Sequence, residues 1–461
     1  MTTVMNNIRN RLLLLFHLLE PGSNLHPIEI IPVYALAFWF LIVKQAATLQ
    51  VQVIEQHQQE SSVVDVGVAF EDWGTSLFNL AVTNAIVQFA LFIIVVQIPA
   101  YVTGCMSNVD IAWPTGLVLL SIQALYVVRD NNNNNSNNIS SEGVDGNNND
   151  DGRFHYRTYL IGIALFIHGA RMAWGAFVMF FPFNWPNGDL SRYQYAKSRW
   201  CHNPSSSSIT TSTKTSTSTS SATTKNNLWW LKQQHETIMQ AYANSTYIAA
   251  PILLVASNPN PSSLRHMETI GFICWIIFWC LENLSDIQKI RFVKAAKKNN
   301  DIRTAVLGYT PYDTSQYWLW TKCRHPNYFF EWMCWNSFIL MAIPSALDLL
   351  HVAAAPTPTT TTTTTTTNAY YYYYYYLIAS KMGIFAIFFY TSRMFYDCLL
   401  YWTGAEPAES RSVVRRPLFK RYQEKTNVFF PFSVPYFFNH HRTPGWPLTT
   451  TTTTTAKNTK D

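Results

Sequence analysis

The stretch "GFICWIIFWCL" occupies Gly271–Leu281 and carries no charge. Immediately after it comes "ENLSDIQKIRFVKAAKK", Glu282–Lys298, with Lys289, Arg291, Lys294, Lys297 and Lys298. An uncharged aromatic run of this kind belongs in hydrocarbon, and a basic flank of this kind belongs at a cytoplasmic membrane face. The same pattern recurs in "PVYALAFWFLIV" (32–43) and "FALFIIVVQIPAYV" (89–102). Only 13% of all residues are charged, about half the fraction usual in soluble domains. Aromatic residues reach 15%. The chain is therefore expected to be all-α, a polytopic transmembrane bundle of about eight spans.

Those spans are expected at roughly 30–50, 76–100, 110–128, 157–181, 232–256, 268–285, 327–350 and 373–401. The first, second and sixth are clean. The fifth, "LKQQHETIMQAYANSTYIAAPILLVA", is polar in its first half, and that half should face other helices or a cavity. Basic residues cluster after the fourth, sixth and eighth spans: Arg192, Lys197 and Arg199; then Lys289 through Arg324; then Arg411 through Lys425. Two spans separate each cluster from the next, so all three lie on one side. Arg9 and Arg11 join them if the spans number eight. Both termini are then cytoplasmic.

Long polar tracts interrupt this pattern: the Asn tract 131–150, the Ser/Thr tract 205–224 and the Thr run 358–367. Such tracts hold too little apolar surface to fold and are expected to be disordered. The chain thus divides into a lead-in with the first span (1–75) and a membrane domain (76–435). Insertions interrupt that domain near 131–152, 203–226 and 355–368, and a Thr-rich tail follows (436–461). The opening "MTTVMNNIRNRLLLLFHLLEPG" has a short apolar run that ends in Glu-Pro with no small-residue cleavage site. It is taken as a cytoplasmic or interfacial lead-in. The tyrosine run 370–376 suits an interfacial belt. No internal or inverted repeat is evident, which disfavours a transporter. The seven cysteines show no C-x-x-C and no regular spacing, so neither a disulfide framework nor a zinc site is expected.

Polar clusters gather on the basic side. They are "NVDIAWPTG" with Asp110 and Trp113, and "NGDLSRYQYAKSRW" with Asp189, Arg192, Tyr193 and Arg199. Further along come Glu282, Asp286, Lys289 and Arg291, then "CRHPNYFFEWMCW" (Cys323–Trp335). After the last span comes "EPAESRSVVRRPLFKRYQEKTNVFFP" with Glu409, Arg416, Tyr422 and Thr426. A single basic residue beside a span is ordinarily an anchor, Trp113 and Tyr193 also suit interface anchors, and His168 suits a packed histidine. The Cys323–Trp335 stretch is different. Arg324, His325, Asn327, Tyr328 and Glu331 stand together, and Pro326 suits a helix start. Asn327 and Glu331 share a helical face at i, i+4. A helix N-terminus with such donors receives anions well. With neither G-x-G-x-x-G nor a P-loop in the chain, side chains must hold any nucleotide cofactor.

"SDIQKIRF" followed by "LWTKCRHPNYFFEWMCW" resembles the steroid 5α-reductase-like membrane proteins. The nearest likeness is to their branch with Ser-Asp-x-Gln-Lys before Arg-His-Pro-Asn-Tyr-Phe-Gly-Glu. "VDIAW", "DLSRYQYAKSR", "MQAYANSTYIAAP" and the tail "RRPLFKRYQEKTNVFFPF" fit in order, covering roughly residues 100–435. The resemblance implies a helical bundle with an NADPH pocket open to the cytoplasm. It also implies hydride delivery to a lipid carbon–carbon double bond, such as that of a steroid enone, in the endoplasmic reticulum. Carried over by position, Asp286, Lys289, Asn327, Tyr328 and Glu331 would contact the cofactor or order its pocket. Arg324, His325 and Arg416 would meet its phosphates. Tyr193 and Tyr328 would be the candidate acids, since the donor must stay neutral at pH 7. Phe330 stands where the family has Gly. Two other functions compete: a membrane S-adenosylmethionine-dependent methyltransferase of the isoprenylcysteine type, which shares an Arg-His-Pro-x-Tyr element, and a non-catalytic lipid-binding protein. The Ser-Asp-x-Gln-Lys and Asn-Tyr elements favour the reductase.

Overall fold

In the computed structural model, the described residues are 65–139, 156–180, 189–190, 192–194, 229–258, 264–353, 382 and 385–432. Helices dominate them. No strand forms among them, and one isolated bridge pairs Cys323 with Asn427.

Helix α1 (Asp65–Phe92) runs through a π-turn at Ile93–Gln97 into α2 (Ile98–Thr103). The turn has a local cause. Pro99 has no N–H for the carbonyl one turn back, that of Val95. Asn108 supplies the missing donor, its Nδ2 reaching Val95 O at 2.8 Å. Next come α3 (Val109–Ile139), α4 (Tyr156–Phe180), α5 (Trp229–Ser245) and α6 (Ala250–Ala256). Pro251 lies in the first turn of α6, and the chain turns between α5 and α6 just before it. Then follow α7 (His266–Lys298), α8 (Trp318–Lys322) and α9 (Pro326–Ala353). A helix α10 at 385–397 continues as a π-turn, Cys398–Trp402. Helices α11 (Ala405–Arg415) and α12 (Pro417–Lys425) complete the described chain.

Five helical segments among the described residues are long and apolar enough to cross a membrane. They are Ser76–Thr103, Val109–Tyr126, Tyr156–Val178, Trp230–Ala256 and His266–Lys298. They match the second to sixth expected spans. The seventh forms α9, the eighth is described as helix from 385, and the first lies outside the described residues. The expected lead-in, the Thr-rich tail and most of each insertion also lie outside them. The α3 backbone continues through the start of the Asn tract to Ile139, because extending an existing helix is far easier than nucleating one.

The chain forms two compact units. The larger holds the described residues of Pro27–Cys280 and Phe330–Phe395. In it, α3 packs along α4, α1 along α5 and α3, and α6 against α4 and α3. Its core centres on aromatic rings. Trp335 stacks on Phe395 with centroids 4.4 Å apart and planes 13° apart, and Phe338 and Trp275 pack beside it. Its polarity is inverted relative to a water-soluble protein. Ile86, Ile94 and Ile98 are exposed, while Asn84 and Gln88 on the same helix are buried. Lipid accepts the isoleucines, and the amides must find partners inside.

They find each other. Gln88 Nε2 donates to Asn84 Oδ1 at 3.1 Å and to Gly116 O at 2.9 Å. Asn244 Nδ2 donates to Gln88 Oε1 and to Trp113 O, each at 3.1 Å. A Cβ on Gly116 would collide with Gln88 Oε1 and Asn244 Nδ2. Glycine at 116 is what lets α3 approach the amide pair. This network also explains the polar first half of the fifth expected span, whose Asn244 side chain faces other helices.

At the opposite end of this unit from Asp110, charges tie three helices together. Arg157 Nε lies 2.9 Å from Glu268 Oε1, and Arg265 Nη2 lies 2.6 Å from Asp348 Oδ1. Asn258 Nδ2 bonds Ser345 Oγ at 3.1 Å and Asp348 Oδ2 at 3.3 Å. Here the two arginines are matched by two carboxylates.

The smaller unit holds Leu281–Phe329 and the described residues from Tyr396 onward. Phe329 meets Phe429, Phe430 and Phe432 at centroid distances of 5.7–6.1 Å. Tyr396 packs on Phe429 and Phe430. Val306, Phe419 and Tyr422 form a second cluster.

Candidate functional site

In the smaller unit, Cys323–Tyr328 is fixed by the chain after α12. Arg324 N donates to Asn427 O at 2.8 Å and His325 N to Val428 O at 3.2 Å. The side chains reinforce this. Arg324 Nε and Nη2 donate to Glu409 Oε1 (2.8 Å) and Oε2 (3.3 Å), a bidentate pair. Arg324 Nη1 donates to Thr426 O at 2.5 Å and Gln423 O at 3.0 Å. His325 Nε2 bonds Glu409 Oε1 at 2.8 Å, and Gln423 Nε2 donates to Glu409 Oε2 at 2.6 Å. Arg324 and Glu409 are 6% and 2% exposed at their side chains.

These contacts set the charge states. Burial pushes the Glu409 carboxyl up, but the His325 hydrogen bond and the Arg324 charge outweigh it and hold it at about 2. Burial lowers His325 below its ordinary value, against the raising effect of Glu409. At neutral pH the arrangement is therefore a carboxylate, a guanidinium and a neutral imidazole donating through Nε2. Burial pushes the Cys323 thiol up to about 12, so it is no nucleophile.

A second device holds the preceding loop. Tyr422 Oη donates to Trp320 O at 2.5 Å, and Trp320 Nε1 donates to Ser285 O at 3.0 Å. Gly308, at φ +82°, passes against this bond, where a Cβ would collide with Trp320 O and crowd Tyr422 Oη.

Among the residues expected to meet a cofactor, Arg324 and His325 are engaged inside this unit. Tyr328 is half-buried and its ring stacks on His325 with centroids 5.1 Å apart and planes 4° apart. Asn327 is half-buried, and its Oδ1 is shielded from solvent without a hydrogen-bond partner among the described residues. Both lie in the first turn of α9. Lys289 is exposed, its Nζ 5.9 Å from the Trp320 ring centroid. Asp286 and Arg416 are half-buried, Arg416 standing between α11 and α12. Glu331, one turn along α9 from Asn327, is buried and belongs to the larger unit. So does Phe330, whose ring is buried against Phe278, 6.4 Å between centroids.

The larger unit carries the other expected acid. Tyr193 is buried, and its hydroxyl donates to Asp110 Oδ1 at 2.5 Å. Arg192 pairs with the other Asp110 oxygen. Asp189 Oδ1 accepts from Met106 N (2.6 Å), Ser107 N (3.1 Å) and Ser107 Oγ (3.1 Å), which fixes the 189–193 segment to the start of α3. Burial, then the Asp110 charge, raises Tyr193 well above its ordinary value. Its phenol stays protonated across the physiological range.

Glu409 stood in a cluster noted from sequence but was not among the expected site residues, since nothing local marks it as the partner of Arg324. The Asn84–Gln88 pair, spaced i, i+4 within a largely apolar span, is the sequence signal for the buried amide network.

These features define a helical integral membrane protein with a buried polar clamp beside the start of α9. Residues 220–369, about a third of the chain, match a family described as "Protein of unknown function (DUF1295)". The match takes in both the Ser285–Lys289 and the Arg324–Glu331 elements. No curated protein and no solved structure matches the chain.

Proposed function

We propose that this protein is a membrane reductase that uses NADPH to reduce a carbon–carbon double bond in a lipid, steroid-like or another enone. The observation that carries the reading is Tyr193: a buried phenol, oriented by Asp110 and held neutral. With its one proton turned from Asp110 to the substrate, such a phenol can polarise an enone oxygen without becoming an anion. The resemblance in motif order supports it, as does the association of the matched family with steroid 5α-reductase-like membrane proteins.

The residues present fit a phosphate-bearing nucleotide. Asn327 Oδ1 lacks a hydrogen-bond partner among the described residues, Tyr328 offers a half-buried ring, and Lys289 an exposed cation. With four of the five Arg324 N–H donors already directed at Glu409 and two carbonyls, phosphate contact falls to Lys289 and Arg416, and the ribose and amide side to Asn327, Tyr328 and Asp286. Glu331 orders the next turn of α9. When bound, NADPH supplies the hydride. Arg324, His325 and Glu409 hold the first turn of α9 in place, and Asp110 holds the Tyr193 hydroxyl.

The test is a thermal-shift pair on purified protein in micelles, followed by consumption of reduced nicotinamide with an enone lipid. NADPH should raise Tm, the rise should vanish in Asn327→Ala, and S-adenosylmethionine should have no effect. Stabilisation by S-adenosylmethionine alone would replace the reductase with a methyltransferase. Stabilisation by neither would leave a lipid-binding protein.

A further inference from the structure

We propose that Ser107 is a positioning residue for Tyr193, closing a circuit of hydrogen bonds that sets where the Tyr193 hydroxyl stands. Its effect on turnover rests on the reductase reading, and its effect on the phenol rests on geometry alone.

Tyr193 lies outside the membrane-crossing segments, and the short stretch that carries it meets the chain just before α3. Ser107 stands there, two residues before Val109, and is 0% exposed. Its Oγ accepts from Leu190 N at 2.9 Å and donates to Asp189 Oδ1 at 3.1 Å. Leu190 O in turn accepts from Tyr193 N at 3.0 Å, so a single turn leads from the serine's partner to the phenol. Tyr193 Oη donates to Asp110 Oδ1 at 2.5 Å. Asp110 N donates back to Ser107 O at 3.1 Å. The path from Ser107 through Leu190, Tyr193 and Asp110 returns to Ser107. One residue thus holds both the donor and the carboxylate that orients it, the first through its side chain and the second through its main chain.

The two roles are separable. Alanine at 107 keeps the carbonyl that holds Asp110 and removes the acceptor of Leu190 N. The stretch stays attached, because Asp189 Oδ1 still accepts from Met106 N at 2.6 Å and from the main-chain N of residue 107 at 3.1 Å. The phenol ring stays packed in the cluster that includes Val96, Met106 and Ala241. What is lost is the register of the Leu190–Tyr193 turn against Asp110. A donor must reach its partner within about 2.6–3.2 Å, and a misplacement of about 1 Å costs roughly 10²-fold in rate. Ser107, fully buried, acts on the chemistry through Tyr193.

The experiment uses the full chain in nanodiscs. One arm places a ring-fluorinated tyrosine at 193 and reads it by fluorine NMR. The other measures NADPH-dependent reduction of the steroid enone cholestenone by unlabelled protein. In Ser107→Ala the fluorine resonance should shift or broaden, and kcat should fall about 10- to 10²-fold while KM for NADPH stays within about twofold. Ser107→Thr keeps the oxygen and should restore both the resonance and most of kcat. Cys105→Ser, in the same loop with its Sγ directed at Thr103 O, should change neither. A wild-type resonance in Ser107→Ala would overturn the proposal. So would a fall in kcat without a change in the resonance, a changed resonance at full kcat, equal effects in Cys105→Ser, or a Ser107→Thr protein with wild-type Tm that is as slow as Ser107→Ala. A wild type that does not reduce the enone would count against the reductase reading alone, and the fluorine arm would then decide whether Ser107 positions the phenol.

Discussion

Arg324 and Glu409, 85 residues apart, meet through two parallel hydrogen bonds, Nε to Oε1 at 2.8 Å and Nη2 to Oε2 at 3.3 Å. Together with the Arg324 and His325 backbone bonds to Asn427 and Val428, this pair positions the first turn of α9 within its unit. Removing one partner leaves the other as a buried, unmatched charge. Glu409→Gln is expected to destabilise the protein by about 3–5 kcal/mol, read as a lower Tm in micelles. An Arg324→Met/Glu409→Leu double variant should recover much of the loss, since it buries no orphan charge. A double-variant loss equal to the sum of the Arg324→Met and Glu409→Leu losses would show that the pair is not coupled.

The same cluster makes the protein acid-sensitive in two stages. Burial lowers His325 below its ordinary value, so the folded state disfavours the imidazolium. As pH falls below about 6.5, the unfolded chain takes up this proton more readily and stability declines. Glu409 is lowered from 4.5 to about 2. Its contribution is complete above the unfolded value and is lost as pH falls from about 4.5 toward about 2. Thermal melts across pH 7 to 3 should show both stages in the wild type. Glu409→Gln should lack the lower one, and a lower stage persisting in that variant would assign it to another carboxylate.

Much of the membrane architecture was legible because it rests on composition. The five apolar helical segments begin and end within a few residues of the expected spans, except that α7 continues to Lys298. There Gln288, Lys289, Arg291 and Lys294 favour helix without favouring lipid. The Cys323–Trp335 motif announced a helix start, and α9 begins at Pro326 as its proline suggested. Its partner did not announce itself. The Arg324–Glu409 pair joins segments separated by two helices and a long polar insertion, and no periodicity encodes such a contact. The inward amides of α1 are less visible for a different reason: Asn84 and Gln88 scarcely dent the hydropathy of a long span, yet they set which face turns inward.

That inward face gives a third prediction. Gly116→Ala places a methyl group where Gln88 Oε1 and Asn244 Nδ2 now lie. The amides must separate, and Gly116 O loses its donor. A loss of about 1–3 kcal/mol follows from overpacking and broken hydrogen bonds. Gly175→Ala on α4 is the control, since nothing lies within 4 Å of its Cβ position. It should be neutral or slightly stabilising. Matching losses at the two sites would trace the effect to helix backbone rather than to the network.

The final prediction separates positioning from chemistry at Tyr193 and Asn327. Tyr193→Phe removes one hydroxyl and leaves Asp110 paired with Arg192. The fold should survive with a loss of about 0.5–1.5 kcal/mol, the usual worth of one hydrogen bond. Turnover of an enone lipid should fall about 10²- to 10⁴-fold, because the neutral donor is gone, while KM for NADPH stays near the wild-type value. Asn327→Ala acts at the other step: KM for NADPH should rise while kcat at saturation changes little. A Tyr193→Phe enzyme with undiminished kcat would remove this phenol from the chemistry and leave Tyr328 as the donor. A Tyr193→Phe enzyme that lost NADPH affinity instead would make Tyr193 a cofactor contact.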